Sequence, residues 1–287
     1  MQHSYTITKF KICEFIGMID MTICIAAISE NGKHAVMISD KMITIEDPFN
    51  IQYEPRDSGK IDEISSGIYA LTAGSALYFT DMLKEVKKRI SHIQDPTVEQ
   101  VAQNVAEVFK EKRLKRAEEL YLEPRGLDLQ KYYEKIEDLP ESLLQEIDRS
   151  LIKFTLELSI ILCGKSENSY YRLYGIESPG IYDSFDSVGF ATIGIGDTHS
   201  TSRFTYNRYS SSMSLEESLL ISYLAKKDAE SAPGVGKETV IRVLNGEKNF
   251  NISEDKIKIL DSAYENRKEV NIEMIRNLLG DLDDKKI

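Results

Sequence analysis

An apolar run with no polar face sets the first constraint on this chain. Thr22 to Ser29 reads TICIAAIS, and its apolar residues fall on both parities of an extended backbone. A strand of that kind is covered on both sides, as in a layered core, rather than lying half in water. Glu30-Asn31-Gly32-Lys33 separates it from a second β-rich run, His34 to Asp40. Asn-Gly between two such runs predicts a hairpin, because both residues tolerate the positive φ of a type I′ turn.

Further along, Lys60 to Ser65 and Gly67 to Ala73 read as another hairpin. Phe79, Met82, Leu83, Val86 and Ile90 then recur at three- and four-residue steps, predicting a helix. Asp95-Pro96-Thr97 is a helix start, with Asp95 or Thr97 as the cap, and Val98, Val101, Val105 and Val108 carry the period onward. Residues 110 to 153 are densely charged and broken by Pro124, Gly126 and Pro140, which reads as helical pieces in a solvated surface excursion. Strands resume at Leu156 to Gly164, Tyr170 to Ile176 and Phe190 to Gly194. Helices follow at Ser200 to Tyr209 and Leu215 to Asp228. A strand at Thr239 to Leu244 leads into a second Asn-Gly turn, and a terminal helix begins near Ile257. Strand blocks alternating with helix blocks predict an α+β fold of packed sheets covered by helices.

Charge and composition narrow the function. The 287 residues carry 36 Lys plus Arg against 47 Asp plus Glu, a net charge of −11. Binding to a phosphate backbone needs clustered cations, so nucleic acid is not an expected partner. The longest near-continuous apolar stretch, Leu156 to Cys163, is broken by Glu157 and Ser159 and is too short to span a membrane. Cys13, Cys24 and Cys163 form no CxxC pair, so a disulfide scaffold is not expected and a reducing cytoplasm is the default. His3, His34, His92 and His199 are scattered, and none stands at metal-ligand spacing from a cysteine.

The residues that could carry chemistry begin at Thr22. In a chain starting there, the hydroxyl and the α-amine would share one residue. That amine, with an ordinary pKa of about 7.7–8.0, is a ready general base. A neighbouring lysine would lower its pKa, and an aspartate would hold the lysine. Asp40 ends the second strand, Lys60 opens the next hairpin, and Gly74 closes a strand where a bare backbone amide could face an oxyanion.

With those residues in that order, the sequence resembles a proteasome β-type subunit, a member of the N-terminal-nucleophile hydrolases. The resemblance runs from Thr22 to about residue 265, interrupted by the 110–153 insertion. It implies a single four-layer αββα sandwich over 22–287, with residues 1–21 a propeptide or a mis-assigned start. It implies a threonine peptidase in which Thr22 is the nucleophile, Asp40 the acid, Lys60 the lysine and Gly74 the oxyanion amide. Thr44 matches a position that holds the substrate backbone. Thr72-Ala73-Gly74-Ser75-Ala76 matches the segment of the oxyanion amide and part of the specificity pocket, so Thr72 and Ala76 are implied to bind substrate. Asp228 and Ser231 match the pair that supports the threonine. Gly194-Ile195-Gly196-Asp197 resembles the family's Gly-Ser-Gly-Ser turn, with Ile195 where a serine normally stands beside the threonine. That departure weakens the proton network or shifts the role to water or Ser200. Pro233 stands where the family usually has glycine.

No metal or organic cofactor is required by this mechanism. The implied partners are a peptide or protein substrate, other copies of the chain in a homo-oligomeric ring, and a possible ATPase. Two alternatives stand beside this reading: a non-catalytic structural subunit of such a ring, and a related hydrolase acting on a small-molecule amide.

Overall fold

Side chains alternate across a strand, so a strand apolar on both parities has to find a partner for each face. The first strand, β1 (Cys24–Ser29), does so: Cys24, Ala26 and Ile28 join one buried cluster, while Ile25 and Ala27, with Ile23 just ahead, join another. The computed structural model describes residues 22–45, 51–53, 60–246 and 249–266. Residues 1–21, expected to be a propeptide or a mis-assigned start, lie outside them.

In chain order the strands that follow are β2 (His34–Asp40), β3 (Ile43–Ile45), β4 (Ile51–Tyr53), β5 (Ile61–Ser65) and β6 (Ile68–Gly74). Beyond the first helices come β7 (Leu158–Lys165), β8 (Tyr171–Glu177), β9 (Ile181–Ser184), β10 (Phe190–Ile193), β11 (Thr239–Leu244) and β12 (Asn249–Asn251). The α-helices are α1 (Ala76–Ile90), α2 (Val98–Tyr121), α3 (Leu129–Glu134), α4 (Glu141–Lys153), α5 (Asp197–Tyr206) and α6 (Leu215–Ala229). Residues 254–266 are also helical.

The chain is therefore α+β. One antiparallel sheet has the order β10-β1-β2-β11-β12, a second the order β5-β6-β7-β8-β9, and β3 pairs with β4. Three buried clusters use both faces of the large sheets. Cys24, Ala26 and Met37 of the first sheet meet Leu71, Ile161 and Leu173 of the second. Ile25, Val36 and Ile241, on the other face of the first sheet, pack with Phe204 of α5 and Ile221 of α6. Ala70, Ile160 and Ile176, on the other face of the second, pack with Met82 of α1 and Val105 of α2.

Local sequence accounts for most boundaries and for two departures. At α2, Thr97 rather than Asp95 is the cap: its Oγ1 accepts from the Gln100 amide, and Gln100 Oε1 accepts from the Thr97 amide, closing a capping box. The first turn is not a two-residue type I′ hairpin. Ser29 pairs with His34, and Glu30, Asn31 and Gly32 all take positive φ in a short 3₁₀ turn. A Cβ on Gly32 would lie 3.1 Å from Tyr170 Cβ and 3.2 Å from the Tyr171 carbonyl oxygen, so the loop is packed down on the neighbouring sheet. Likewise Leu244 pairs with Asn249, so the second Asn-Gly turn belongs to a longer connection.

The excursion is more than a solvated face. Leu122, Tyr132 and Ile147 make a small core of their own, Tyr132 Oη donates to Asp148 Oδ1 at 2.7 Å, and Arg113 on α2 donates to the carbonyls of Phe154 at 2.8 Å and Leu151 at 3.0 Å. Among the described residues no helix is long and apolar enough to cross a membrane.

Candidate active site

Thr22 lies just before β1, buried, where three segments converge. Because β1 and β2 run antiparallel with Cys24 opposite Ser39, the end of β2 carries Asp40 alongside Ile23, and the Asp40 amide donates to the Ile23 carbonyl at 3.2 Å. Lys60 comes from the other sheet. It immediately precedes β5, and its carbonyl accepts from the Thr72 amide of β6 at 3.3 Å.

The three side chains meet. Thr22 Oγ1 donates to Asp40 Oδ1 at 2.6 Å and accepts from Lys60 Nζ, which also donates to Asp40 Oδ1 at 2.8 Å. Asp40 has no exposed surface, and its carboxylate is fully engaged. Oδ1 accepts additionally from the Ile23 amide at 3.2 Å, and Oδ2 accepts from the Gly236 amide at 2.9 Å. Buried charge persists when it is paired and hydrogen-bonded, and both conditions hold here. Lys60, which in isolation reads as a solvated loop lysine, is instead the cation that pairs this carboxylate across the gap between sheets.

The backbone of Thr22 is fixed as closely as its hydroxyl. Gly194 follows β10 at φ +105°, and a Cβ there would come within 2.3 Å of the Thr22 carbonyl oxygen. The Gly196 amide donates to the same oxygen at 3.4 Å. Glycine is required at 194 both for its backbone conformation and for this approach. Between them, the Ile195 side chain packs with the apolar cluster around Phe204 and Ile221. Ser200 does not take over a serine role beside the threonine: its buried Oγ donates to the carbonyls of Gly196 at 3.1 Å and Ala225 at 3.3 Å.

The other residues singled out from sequence are distributed around this centre. Cys24 Sγ donates to the Thr72 carbonyl at 3.4 Å, which ties the Thr22 strand to β6, and Gly74 closes β6 two residues on at φ +108°, exposed. Thr44 lies in β3, opposite Gln52, and Ala76 opens α1. Asp228 and Ser231 are engaged elsewhere. Arg203 Nε donates to Asp228 Oδ2 at 2.6 Å, and Ser231 Oγ donates to the Asp228 carbonyl at 2.6 Å. Together with His199 and Tyr264 they line a polar cavity of about 540 Å³. Among the described residues, their side-chain hydrogen bonds do not run to Thr22.

Burial pushes the Cys24 thiol up to about 12, against the pull of the Lys60 cation, so this sulfur stays protonated and unreactive beside the threonine. Among the described residues, no group of three or more His, Cys, Asp or Glu is placed to hold a metal ion. The sequence reading missed Gly236, whose amide completes the Asp40 carboxylate. The signal available for it was the short Pro233-Gly234-Val235-Gly236 stretch before β11. The chain matches no protein-family model and no curated protein.

Proposed function

We propose that this chain is a proteasome-like N-terminal-nucleophile hydrolase, a threonine peptidase built as a four-layer αββα sandwich. The observation that carries the reading is the Thr22 hydroxyl held between Asp40 and Lys60, residues 18 and 38 positions away in sequence. The three apolar clusters support the layered fold, since they pair sheet with sheet and each sheet with its own helices.

In this mechanism the bond between Met21 and Thr22 is cut first, which frees the Thr22 amine. Thr22 Oγ attacks the substrate carbonyl carbon while its proton passes to that amine. The C–N bond then breaks, the amine hands the proton to the leaving nitrogen, and water hydrolyses the resulting ester. The positive charge of Lys60 favours the neutral, proton-accepting amine, and Asp40 orients Lys60. Gly74 supplies the oxyanion amide, at the end of a strand already tied to Cys24. Thr44, Thr72 and Ala76 contact substrate, while Asp228 and Ser231, which the resemblance pairs with the threonine, are held instead by Arg203 and by the Asp228 carbonyl, respectively. The working assembly on this reading is a homo-oligomeric ring with heterologous interfaces, in the cytoplasm.

The test uses a chain that begins at Thr22, assayed on a panel of fluorogenic peptides. Turnover is expected, with loss of about 10²-fold or more in both Thr22→Ala and Lys60→Ala. A Thr22→Ala chain that retains wild-type turnover would remove the reading.

A further inference from the structure

Lys226 is the lysine with no exposed surface among the described residues, and the mechanism above does not use it. It lies on α6 in a Lys-Lys-Asp run that reads as surface charge. Its ammonium donates to Glu230 Oε1 at 2.5 Å, one turn on, and to the backbone carbonyl of Lys237 at 2.7 Å. The first bond pairs the charge. Glu230 has a second cation on its other oxygen, Lys227 at 2.8 Å.

The second bond reaches the loop ahead of β11. Among the described residues, the Lys237 carbonyl otherwise receives a long 3.4 Å bond from Thr239 Oγ1. The residue beside it, Gly236, donates its amide to Asp40 Oδ2. A contact path thus runs from Lys226 through the 236–237 backbone to Asp40, and from Asp40 Oδ1 to Thr22 Oγ1. Burial pulls the Lys226 ammonium below the usual lysine range, with Glu230 opposing. Replacing a whole buried ion pair with apolar groups of similar volume is often neutral or stabilising, and Glu230 has Lys227 as a second partner, so charge pairing alone does not account for the Lys226 ammonium. A buried ammonium aimed at one carbonyl of an irregular loop is therefore best explained by what the loop holds.

We infer that Lys226 is a positioning residue: by anchoring the Lys237 carbonyl it keeps the Gly236 amide on Asp40 Oδ2, and so fixes the Asp40 oxygen that orients Thr22. This rests on the proposed hydrolase function for its catalytic consequence, but its structural core does not.

The experiment compares wild type with Lys226→Met in the Thr22-initiated chain by amide hydrogen exchange and by kinetics. Protection of the Gly236 amide should fall by about tenfold or more, beyond any change at the β2 amides of Val36 and Ile38, which report global stability. On peptide substrates, kcat should fall by roughly 10- to 100-fold with KM nearly unchanged, as expected when a reacting group is misplaced. The Asp40→Asn/Lys226→Met double variant should be no slower than Asp40→Asn alone, because the two act as one unit. A merely structural lysine would instead lower all amides alike and add its loss to that of Asp40→Asn, and either result overturns the inference. If the wild-type chain turns over no peptide, the hydrolase reading fails while exchange at Gly236 still decides this one. Should Lys226→Met not fold, Lys226→Gln is read in the same way, and failure of both to fold overturns the inference in favour of a purely structural lysine.

Discussion

Gly194 shows how tightly single residues are specified around Thr22. Any side chain there meets the Thr22 carbonyl and strains a backbone at φ +105°. Gly194→Ala should cost more than the roughly 1–3 kcal/mol of a strained backbone alone. Gly126 is the matched control, at φ +71° with nothing within 4 Å of the point a Cβ would occupy. Gly126→Ala should lower the melting temperature by only a few degrees, since left-handed backbone costs an alanine about 1–2 kcal/mol. Thermal melts of both variants, read by circular dichroism, check the ranking, and equal losses would remove the steric argument. At this scale the sequence was informative where chemistry recurs in order: Thr22, Asp40 and Lys60 were legible as a set and meet in space. It was silent where the signal is an atom's position. Nothing in Gly194-Ile195-Gly196 says that the first glycine faces a carbonyl or that the isoleucine turns into the core. The Lys226-Lys227-Asp228 run reads as exposed, because the Lys237 carbonyl that receives the Lys226 ammonium lies in the loop before β11.

Elements differ in how much of their stability is local. The excursion between α2 and β7 has its own core, in which Ile147 of α4 is buried against Leu122 and Tyr132. Ile147→Ala should cost about 2–5 kcal/mol in that unit. Because the cluster shares no member with the three sheet clusters, the loss should be confined to residues 122–153. Hydrogen exchange by peptide checks this, and deprotection spreading to β1 and β2 would contradict it. Period and capping made the long helices legible, and two-sided apolarity made β1 legible as an inner strand. The edge strand β9 was not legible: Ile181, Tyr182, Asp183 and Ser184 are all exposed, so no alternation marks them. Helix α5 starts earlier than its apolar pattern suggests, because its first turn, Asp197-Thr198-His199, is polar and exposed.

For the whole molecule, the buried tyrosines set an alkaline limit. Burial first, and for Tyr132 also Asp148, pushes the phenols of Tyr132 and Tyr209 up to about 12. Tyr171 and Tyr174 are raised for the same reason. A tyrosine in the unfolded chain ionises near 10, so between about pH 10 and 12 only the unfolded form gains the charge. Stability from these groups is complete below pH 10 and is lost as pH climbs through that window. Melting temperatures measured from pH 8 to 12 should begin to fall near 9, where the buried Cys24 and Cys163 thiols ionise only on unfolding, and fall more steeply above about 10, with tyrosinate absorbance rising at that second step. A flat profile would contradict the burial. The arrangement at Thr22 has a different consequence. Its hydroxyl is bonded to Asp40 and Lys60, and its carbonyl accepts from the Gly196 amide, in the chain that still carries Met21. On the proposed reading, the uncut protein is a zymogen whose latency resides in one covalent link, not in a misshapen site. On the same reading, severing that link would free an amine beside a hydroxyl already bonded to Asp40 and Lys60.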